Sequence, residues 1–351
     1  MAGTVSGRDF ALGIVVGAVA ALVLGAALFA AVLRTTDIYS LGHWKLNLRT
    51  PFNSMWMNLG YWKTSDGQPV QHFDEACLGL LREILTTAGI LGRSSADDCG
   101  AKSRGAVSVL DLGFGCGDQT LALARFIQPR SWQDFRYVGL TLNGSQLQTA
   151  SRTLYRELAS ASDSQALNQA SFKLFRANAA KPTSWDAAIR DAVHALADEQ
   201  FAERWLVALD CLYHFSPSRK PIFQLAAQKL DANVMAFDLI LNEQASWKDT
   251  LLVRIVGLMM SCPLHTFLTE DQYKDQLVEC GYDRDQIVIR DISGSVFAGV
   301  ASYLQRQDEA LSQYGISIGG FKLAGRLFDW FDRSKVVKAV IVVGRTKVKS
   351  L

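Results

Sequence analysis

The strongest constraint on the fold is a glycine-rich turn that separates a predicted buried strand from a predicted helix. Residues 107–112 are an apolar run that includes Asp111, and Gly113, Gly115 and Gly117 come after it at every second position. Glycine lets the backbone adopt positive φ and approach a ligand closely, and the free N–H groups of the following helix attract negative charge. The stretch DLGFGCG therefore predicts a ligand-binding turn at the end of a strand.

Strands and helices alternate through most of the remaining chain. After the first strand, further strands are predicted at 135–142, 172–177, 204–210, 234–241, 286–292 and 336–344. The alternation through the first five of these strands is typical of a parallel, doubly wound α/β sheet with helices on both faces, and the last two strands close the chain. Ligands bind such sheets beyond the carboxyl ends of the strands, so we expect the glycine turn to lie at the binding edge.

The amino-terminal region contains a long apolar segment. Residues 10–33 include no charged side chain, and a helix of that length can cross a hydrocarbon core of roughly 30 Å. A secretory signal peptide is the alternative, although its apolar region is usually shorter. Arg34, Lys45 and Arg49 lie after the segment whereas Arg8 alone precedes it, which favours a cytosolic position for the rest of the chain. We therefore expect a single-pass protein of the endoplasmic reticulum or another organelle membrane.

Charge and cysteine usage argue against several classes of protein. The net charge is +2 and 20% of residues are charged, which does not favour an electrostatic surface for nucleic acid. The six cysteines and five histidines are dispersed, without a C-x-x-C pair. This pattern predicts no metal site and no disulfide framework, and it fits a reducing compartment.

Three interpretations of the glycine turn remain open from its residues: a dinucleotide site, an S-adenosylmethionine site, or a tight turn without a ligand. Dinucleotide sites favour a third glycine three residues after the second, whereas Gly117 follows Gly115 by two. Asp111, which precedes the first glycine, suits a cationic amino group better than a phosphate.

The motif DLGFGCGD resembles motif I of class I S-adenosylmethionine-dependent methyltransferases, and the strand–helix order from 107 to 344, which closes on a β-rich hairpin, resembles their seven-stranded sheet. The segment YVGLTLNGSQ, residues 137–146, resembles the second-strand motif of the small-molecule and lipid group, which includes cyclopropane-fatty-acid synthases and tocopherol and sterol methyltransferases. This resemblance covers about two-thirds of the chain. It implies a Rossmann-like doubly wound seven-stranded α/β fold, enzymatic methyl transfer and S-adenosyl-L-methionine as cofactor.

The resemblance also implies which residues bind the cofactor. Thr141 stands where many class I enzymes carry the acidic residue that holds the ribose, so Thr141 and Gln146 would replace it. Asn178 stands where relatives often carry an aspartate for the adenine amino group, and its side-chain oxygen can accept the same bond; a turn asparagine is the alternative. The expected cofactor-binding residues are Tyr61, Asp111, Gly113, Gly115, Gly117, Gln119, Thr141, Leu142, Gln146, Asn178, Ala179 and Asp210.

Catalytic residues are expected after the fourth strand, where LDCLYHF resembles the stretch next to the reacting methyl group. His214 is the candidate general base or substrate-orienting residue, and a buried structural histidine is the alternative. Tyr213 forms an aromatic–histidine pair with it, and Asp210 would orient His214 or hold the loop.

A lid is expected from MWMNLGYW, residues 55–62, which resembles a segment whose aromatic residue closes over the cofactor. Tyr61 is the predicted lid residue, with Trp56 and Trp62 at the entrance; ordinary packing against the sheet is the alternative. The predicted domains are a tail at 1–9, a transmembrane helix at 10–33, a linker and lid at 34–72, and a methyltransferase domain at 73–351 with a helical lid insertion at 296–334.

Two predicted helices, at 251–260 and 319–338, combine apolar stripes with basic residues. In the second helix, one face carries Phe321, Ala324, Phe328 and Phe331, and the basic residues are Lys322, Arg326 and Arg333. Both helices fit contact with a membrane surface, and a lid packed on the substrate pocket is the alternative.

The overall prediction is a membrane-anchored methyltransferase that acts on a small lipophilic acceptor. Nucleic acid is not the expected substrate, because the Asp/Asn-Pro-Pro-Tyr/Phe stretch of enzymes that methylate amino groups of nucleic acids is absent after the fourth strand. The alternatives are a cyclopropane-forming or C-methylating lipid enzyme, a non-catalytic anchored scaffold, and a dehydrogenase.

Overall fold

The computed structural model describes residues 7–35, 52–91, 105–127, 134–160 and 168–347. The chain divides into two compact units. The first comprises Met1–Pro51 and Gln307–Ile318, and the second comprises Phe52–Arg306 and Gly319–Leu351. Residues 52–72, predicted to be linker and lid, thus fall in the same compact unit as the sheet.

The first unit contains the helix α1 (Gly7–Thr35). Its described side chains are those of residues 13–27, and all of them are exposed. Within the described residues, no helix combines the length and the apolar character needed to cross a membrane. The predicted transmembrane helix is therefore not confirmed.

The second unit is built on one seven-stranded sheet, with strand order β3-β2-β1-β4-β5-β7-β6. The strands are β1 (Ala106–Leu112), β2 (Phe135–Thr141), β3 (Phe172–Arg176), β4 (Phe201–Leu209), β5 (Asn233–Leu241), β6 (Tyr282–Asp291) and β7 (Val337–Thr346). All seven were predicted from the sequence, with boundaries displaced by a few residues at most.

The sheet is mixed rather than wholly parallel. Strands β1 to β5 pair in parallel, and β7 runs antiparallel to both β5 and β6. The parallel pairing of five strands and the antiparallel closing pair β6 and β7 agree with the predicted alternation and closing hairpin. Apolar periodicity reports burial and not strand order, so the sequence pattern alone could not show that β7 inserts between β5 and β6.

Helices cover both faces of the sheet. They are α2 (Phe73–Thr87), α3 (Asp118–Ile127), α4 (Gly144–Ser160), α5 (Ala187–His194), α6 (Lys220–Gln224), α7 (Trp247–Met259), α8 (Glu270–Cys280), α9 (Phe297–Ser312) and α10 (Phe321–Ser334). Side chains of successive β1 residues enter different cores: Val107 and Val109 pack in one cluster, Leu110 and Leu112 in the other. This double burial explains the uninterrupted apolar run in β1.

The region predicted as a helical insertion contains α9 and α10, so its helical character is confirmed. Phe328 and Phe331 are buried, and both pack on Phe297 at the start of α9. Phe321 shares this helix face as predicted, but it lies at the first residue of α10 and its side chain is exposed. The core stripe of α10 therefore begins after its first turn.

Candidate active site

The glycine turn lies between β1 and α3, and each of its three glycines has positive φ: +74° at Gly113, +65° at Gly115 and +103° at Gly117. A Cβ at Gly113 would lie 3.2 Å from Cys211 Cβ, and one at Gly117 would lie 3.0 Å from the Cα of Ala150 in α4. A Cβ at Gly115 would meet nothing closer than Met57 Sδ, at 3.9 Å. The outer two glycines therefore permit close packing, and Gly115 opens onto a pocket.

That pocket is formed by the glycine turn, the start of α3 and the segment 55–58. Its cavity volume is about 20 Å³, and it is lined by Met55, Trp56, Met57, Asn58, Gly113, Phe114, Gly115, Cys116, Asp118, Gln119 and Leu209. Ligand sites usually measure roughly 300–1,000 Å³. The segment 55–58 therefore has to move outward before a nucleoside-sized cofactor can enter fully.

Asp111 lies in β1 and is completely buried. Gln119 Nε2 donates to both of its carboxylate oxygens at 2.8 and 3.0 Å, and Tyr137 Oη donates to Oδ2 at 2.6 Å. Burial raises the pKa of Asp111 to about 6, and the bonds from Tyr137 and Gln119 oppose that rise. Asp111 does not line the pocket. The predicted direct contact between Asp111 and the ammonium group of the cofactor is therefore not supported by this arrangement.

Asp118, the first residue of α3, is the carboxylate that does line the pocket. Its two oxygens accept a hydrogen bond from the backbone N–H of Met55, at 3.3 and 3.2 Å. Burial raises its pKa, and the bond from Met55 opposes that effect. Asp118 was not predicted as a site residue, although an acidic residue directly after the third glycine is visible in the sequence.

Thr141 and Gln146, predicted to replace the acidic ribose ligand, do lie together at the carboxyl end of β2. The Thr141 hydroxyl donates to Gln146 Oε1 at 2.7 Å, and Gln146 Nε2 lies 3.3 Å from Met57 Sδ. Leu142 is different, because its side chain is exposed and does not line the pocket. The structure therefore joins the predicted ribose-binding pair to the segment 55–58.

Asn178 lies just after β3, and its contacts are those of a turn asparagine, which is the alternative to a role in adenine binding. Its side-chain oxygen accepts from Ala180 N at 2.9 Å, and its carbonyl accepts from Trp185 Nε1 at 2.8 Å. Ala179 beside it is buried. An amide oxygen has two acceptor sites, so a second bond from a ligand amine remains compatible with this turn.

Asp210 comes directly after β4 and has a φ of +59°, which is uncommon for a residue other than glycine. Tyr213 Oη donates to its Oδ1 at 2.6 Å. Burial raises the pKa of Asp210 to about 7, opposed by bonds from Tyr213 and from the backbone of Leu59. A strained carboxylate at the carboxyl edge of a sheet is a feature typical of functional sites.

His214 lies one short turn further on, and the residue is only partly covered by its neighbours. Its Nδ1 is 3.4 Å from the Sγ of Cys262, and its ring packs on Tyr213 with centroids 4.4 Å apart. Burial lowers the pKa of His214, opposed by a hydrogen bond with the backbone of Ser261. This shift favours the neutral imidazole. The exposure of His214 does not favour the alternative interpretation of a buried structural histidine.

The predicted lid residue Tyr61 does not line the pocket. Its backbone N–H donates to Ala76 O at 2.8 Å, which holds it against α2. Trp62 is buried, and its ring packs on those of Phe73 and Tyr303. Trp56 alone of the three aromatics reaches the pocket, because the chain turns toward α2 at Gly60, where φ is +74°.

No family model matches the sequence, and no curated protein matches it. Solved structures do match. A putative sarcosine dimethylglycine methyltransferase from Galdieria sulphuraria has a TM-score of 0.57 at 14% identity, covering 82% of this chain and 93% of that one. A mycolic acid cyclopropane synthase complexed with SAH and CTAB has a TM-score of 0.54 at 13% identity, covering 83% and 90%. The chain has the class I methyltransferase fold.

A third structure of this fold is the cyclase SpnF, with a TM-score of 0.51 at 15% identity and coverage of 84% and 89%. The resemblance to the lipid and small-molecule group is thus confirmed for the fold. At these identities the likeness extends to architecture alone, and the methyltransferase fold supports more than one chemistry.

Within the methyltransferase fold, the predicted residues separate into two groups at one edge of the sheet. The glycine turn, Gln119, Thr141 and Gln146 lie around or next to the pocket, and Asp210, Tyr213 and His214 come after β4. Contacts between Gly113 and Cys211 connect the two groups, since Cys211 Sγ also donates to Leu112 O at 3.3 Å. Tyr137, Cys211 and Cys262 were not predicted, because their partners are distant in sequence.

Proposed function

We propose that this protein is an S-adenosylmethionine-dependent methyltransferase that acts on a small lipophilic acceptor. The observation that carries the proposal is Gly115, whose positive φ and missing side chain face a pocket bordered by Asp118 and Gln119. That donor set fits a ligand with an amino group and a sugar, since it offers a carboxylate and an amide. When bound, the sulfonium cofactor supplies an electrophilic methyl group.

The residues of this chain have distinct roles in the proposal. Asp118 binds the amino group of the cofactor, and Asp111 holds Gln119 in position from beneath. Thr141 and Gln146 bind the ribose, and Asn178 accepts from the adenine amino group. The segment 55–58 covers the bound cofactor and excludes water, which is the main requirement for transfer from a reactive donor.

His214 is the proposed base or orienting residue for the acceptor. Its neutral ring can take a proton at Nε2, the nitrogen opposite the one that contacts Cys262. Asp210 and Tyr213 hold the loop that carries it. We expect His214→Ala to lower turnover by roughly 10²–10⁴-fold with cofactor affinity near wild type. An unchanged turnover would remove His214 from the mechanism.

Calorimetric titration of the full chain with S-adenosylmethionine tests cofactor use. Binding of S-adenosylmethionine supports the enzyme proposal. If no heat is released, the non-catalytic scaffold becomes the favoured interpretation. A fluorescence change on titration with NADH would favour a dehydrogenase. Mass spectrometry of extracts from cells with and without the protein then seeks compounds that differ by one CH₂ group.

Cyclopropane formation is the second candidate, because a mycolic acid cyclopropane synthase shares the fold. Both reactions add one CH₂ to the acceptor, so mass alone does not separate them. A cofactor carrying a trideuterated methyl group does, because methyl transfer retains all three deuterons and cyclopropane formation retains two.

The proposal also includes a membrane anchor. It is supported by the sequence of residues 10–33, whose 24 residues include no charge and suffice to cross a bilayer. The basic residues Arg34, Lys45 and Arg49 favour a cytosolic position for the catalytic unit. Resistance to alkaline carbonate extraction, lost when residues 10–33 are deleted, is the expected result; full extraction of the wild type would refute the anchor.

A further inference from the structure

Helix α7 presents an outward face made of large apolar side chains. Trp247 is 73% exposed and Met259 is 82% exposed. The remaining exposed apolar residues of this face are Leu251, Leu252, Ile255 and Leu258. Water contact with this many large apolar groups on one helix is costly, and patches of this kind usually mark an interaction surface.

The charges on the face have one sign. At 100° per residue, the six apolar side chains fall within an arc of about 140°, together with Lys248 and bordered by Arg254. Asp249, the single acidic residue of the helix, lies outside the arc and is bonded to the hydroxyl of Ser246. The face therefore combines apolar bulk with positive charge and contains no carboxylate.

The inner side of α7 packs against the rest of the second unit through a narrow strip that contains Val253 and Gly257. Val253 is buried, and Gly257 lies so close to Phe267 that an added Cβ would be 2.7 Å from that ring. The strip fixes which face of α7 points outward, since rotation of the helix would force side chains into Phe267. The exposed face is thus a fixed feature of the second unit.

We propose that the outward face of α7 binds the surface of an anionic lipid bilayer. Apolar side chains enter the boundary between headgroups and acyl chains, and Lys248 and Arg254 pair with anionic headgroups. A bilayer fits better than an acidic protein partner, because the apolar residues spread over the whole arc instead of forming one pocket.

The sequence provides a second reason for a bilayer. Residues 34–51 separate the apolar segment 10–33 from the second unit, and 18 residues span at most about 60 Å. If residues 10–33 are embedded, the second unit stays near a membrane surface at all times. The local concentration of lipid then makes even a weak adsorbing face effective.

Adsorption through α7 would place the candidate catalytic loop next to the bilayer. Cys262, three residues beyond the end of α7, lies 3.4 Å from His214 Nδ1. A lipophilic acceptor could therefore pass from the bilayer to His214 over a short path. This consequence rests on the proposed function, whereas lipid binding by α7 does not.

Fluorophore labelling of the full chain in anionic nanodiscs tests the inference. Met259→Cys places a label on the face, and Gln200→Cys places a matched label at the amino-terminal edge of the sheet, just before β4. Cys99, which lies outside the described residues, is replaced by serine in both. Of the other cysteines, Cys211 is half-buried and Cys77, Cys116, Cys262 and Cys280 are buried, and burial raises the pKa of each thiol, which favours labelling at the introduced cysteine.

Lipids that carry a nitroxide near the headgroup should quench the label at 259 several-fold more than the label at 200. The double variant Lys248→Gln/Arg254→Gln should weaken adsorption by roughly fivefold per charge removed, the equivalent of about 1 kcal/mol for each. Equal quenching at both positions would overturn the inference, whether or not the protein resists carbonate extraction.

Other outcomes separate this inference from the proposed anchor. Quenching at 259 in a protein that carbonate extracts fully would support the face and refute the anchor. A second copy of the chain is another possible occupant of the face. In that case lipids would not quench the label at 259, and an aqueous quencher would reach it less as the protein concentration rises. That result would refute lipid binding. Loss of cofactor binding would leave the result at 259 unaffected.

Discussion

Tyr137 Oη donates a 2.6 Å hydrogen bond to Asp111 Oδ2 between the neighbouring strands β2 and β1. Together with Gln119, this bond holds a carboxylate in the core directly beneath the glycine turn. Thr120 Oγ1 lies 2.9 Å from the same tyrosine oxygen. The turn therefore rests on a buried polar network whose charge depends on pH.

The first prediction concerns this network. The pKa of Asp111 is about 6 in the folded protein against 3.8 for an ordinary aspartate, so the folded state binds the proton more tightly. The stabilising contribution is present below about pH 4 and is lost as the pH rises through 6, by up to about 3 kcal/mol. Asp111→Asn should remove this dependence.

Thermal unfolding between pH 4 and 7 in a mild detergent measures the effect as a difference between wild type and Asp111→Asn. Tyr137→Phe is the matched variant, because it removes a donor that lowers the pKa of Asp111, and it should move the loss of stability to higher pH. Identical pH dependence in all three proteins would contradict the assignment.

The second prediction separates the glycines by their surroundings. Gly115→Val should weaken S-adenosylhomocysteine binding by at least about tenfold, or ~1.4 kcal/mol, because its side chain would project toward the pocket and Met57. Gly117→Ala should instead lower stability by roughly 1–3 kcal/mol through backbone strain and contact with Ala150. Calorimetry on folded protein and thermal unfolding provide the two measurements. Normal affinity in Gly115→Val would refute the site.

The third prediction concerns movement of the segment 55–58. The backbone N–H of Met55 is bonded to Asp118, and Met57 Sδ contacts Gln146, so the segment closes a pocket too small for the cofactor. S-adenosylhomocysteine should change hydrogen exchange of the amides at 55–58 and leave that of β7 unchanged. No change at 55–58 on saturation would show that the cofactor enters elsewhere.

The fourth prediction concerns a buried ion pair behind the site. Arg219 bonds to Asp238 of β5 and to the carbonyl of Thr266, and Tyr273 Oη donates to Asp238 at 3.0 Å. Arg219→Leu should destabilise the protein by roughly 3–5 kcal/mol, because it leaves a buried carboxylate without its cation.

The double variant Arg219→Leu/Asp238→Asn should recover part of that loss, since a neutral amide can still accept from Tyr273. Urea unfolding compares Arg219→Leu, Asp238→Asn and the double variant with wild type. A double variant as unstable as the sum of both single changes would show that the charge pair is not the source of the effect.

Much of the architecture could be predicted from the residues. Helix α3 directly follows the glycine turn, as predicted, because an acidic first turn comes after three glycines and apolar residues recur at helical spacing. The glycine turn, Thr141 and Gln146 also lie at the expected sheet edge. Local pattern determines these features, since each depends on neighbours within about ten residues.

The partners of individual side chains could not be predicted in this way. Asp111 occupies the expected position, yet it is bonded to Tyr137, and Asp118 is the carboxylate that borders the pocket. Tyr61 was expected in the lid, yet Gly60 directs it onto α2 and Trp56 reaches the pocket instead.

The sequence by itself determined the order of strands and helices, the glycine turn and the carboxyl-edge location of the candidate catalytic loop. Only the tertiary structure decided the insertion of β7 between β5 and β6, the contact of His214 with Cys262 and the outward rotation of α7. Periodicity records how deeply a residue is buried, whereas contacts between distant segments depend on how whole strands and helices pack against one another.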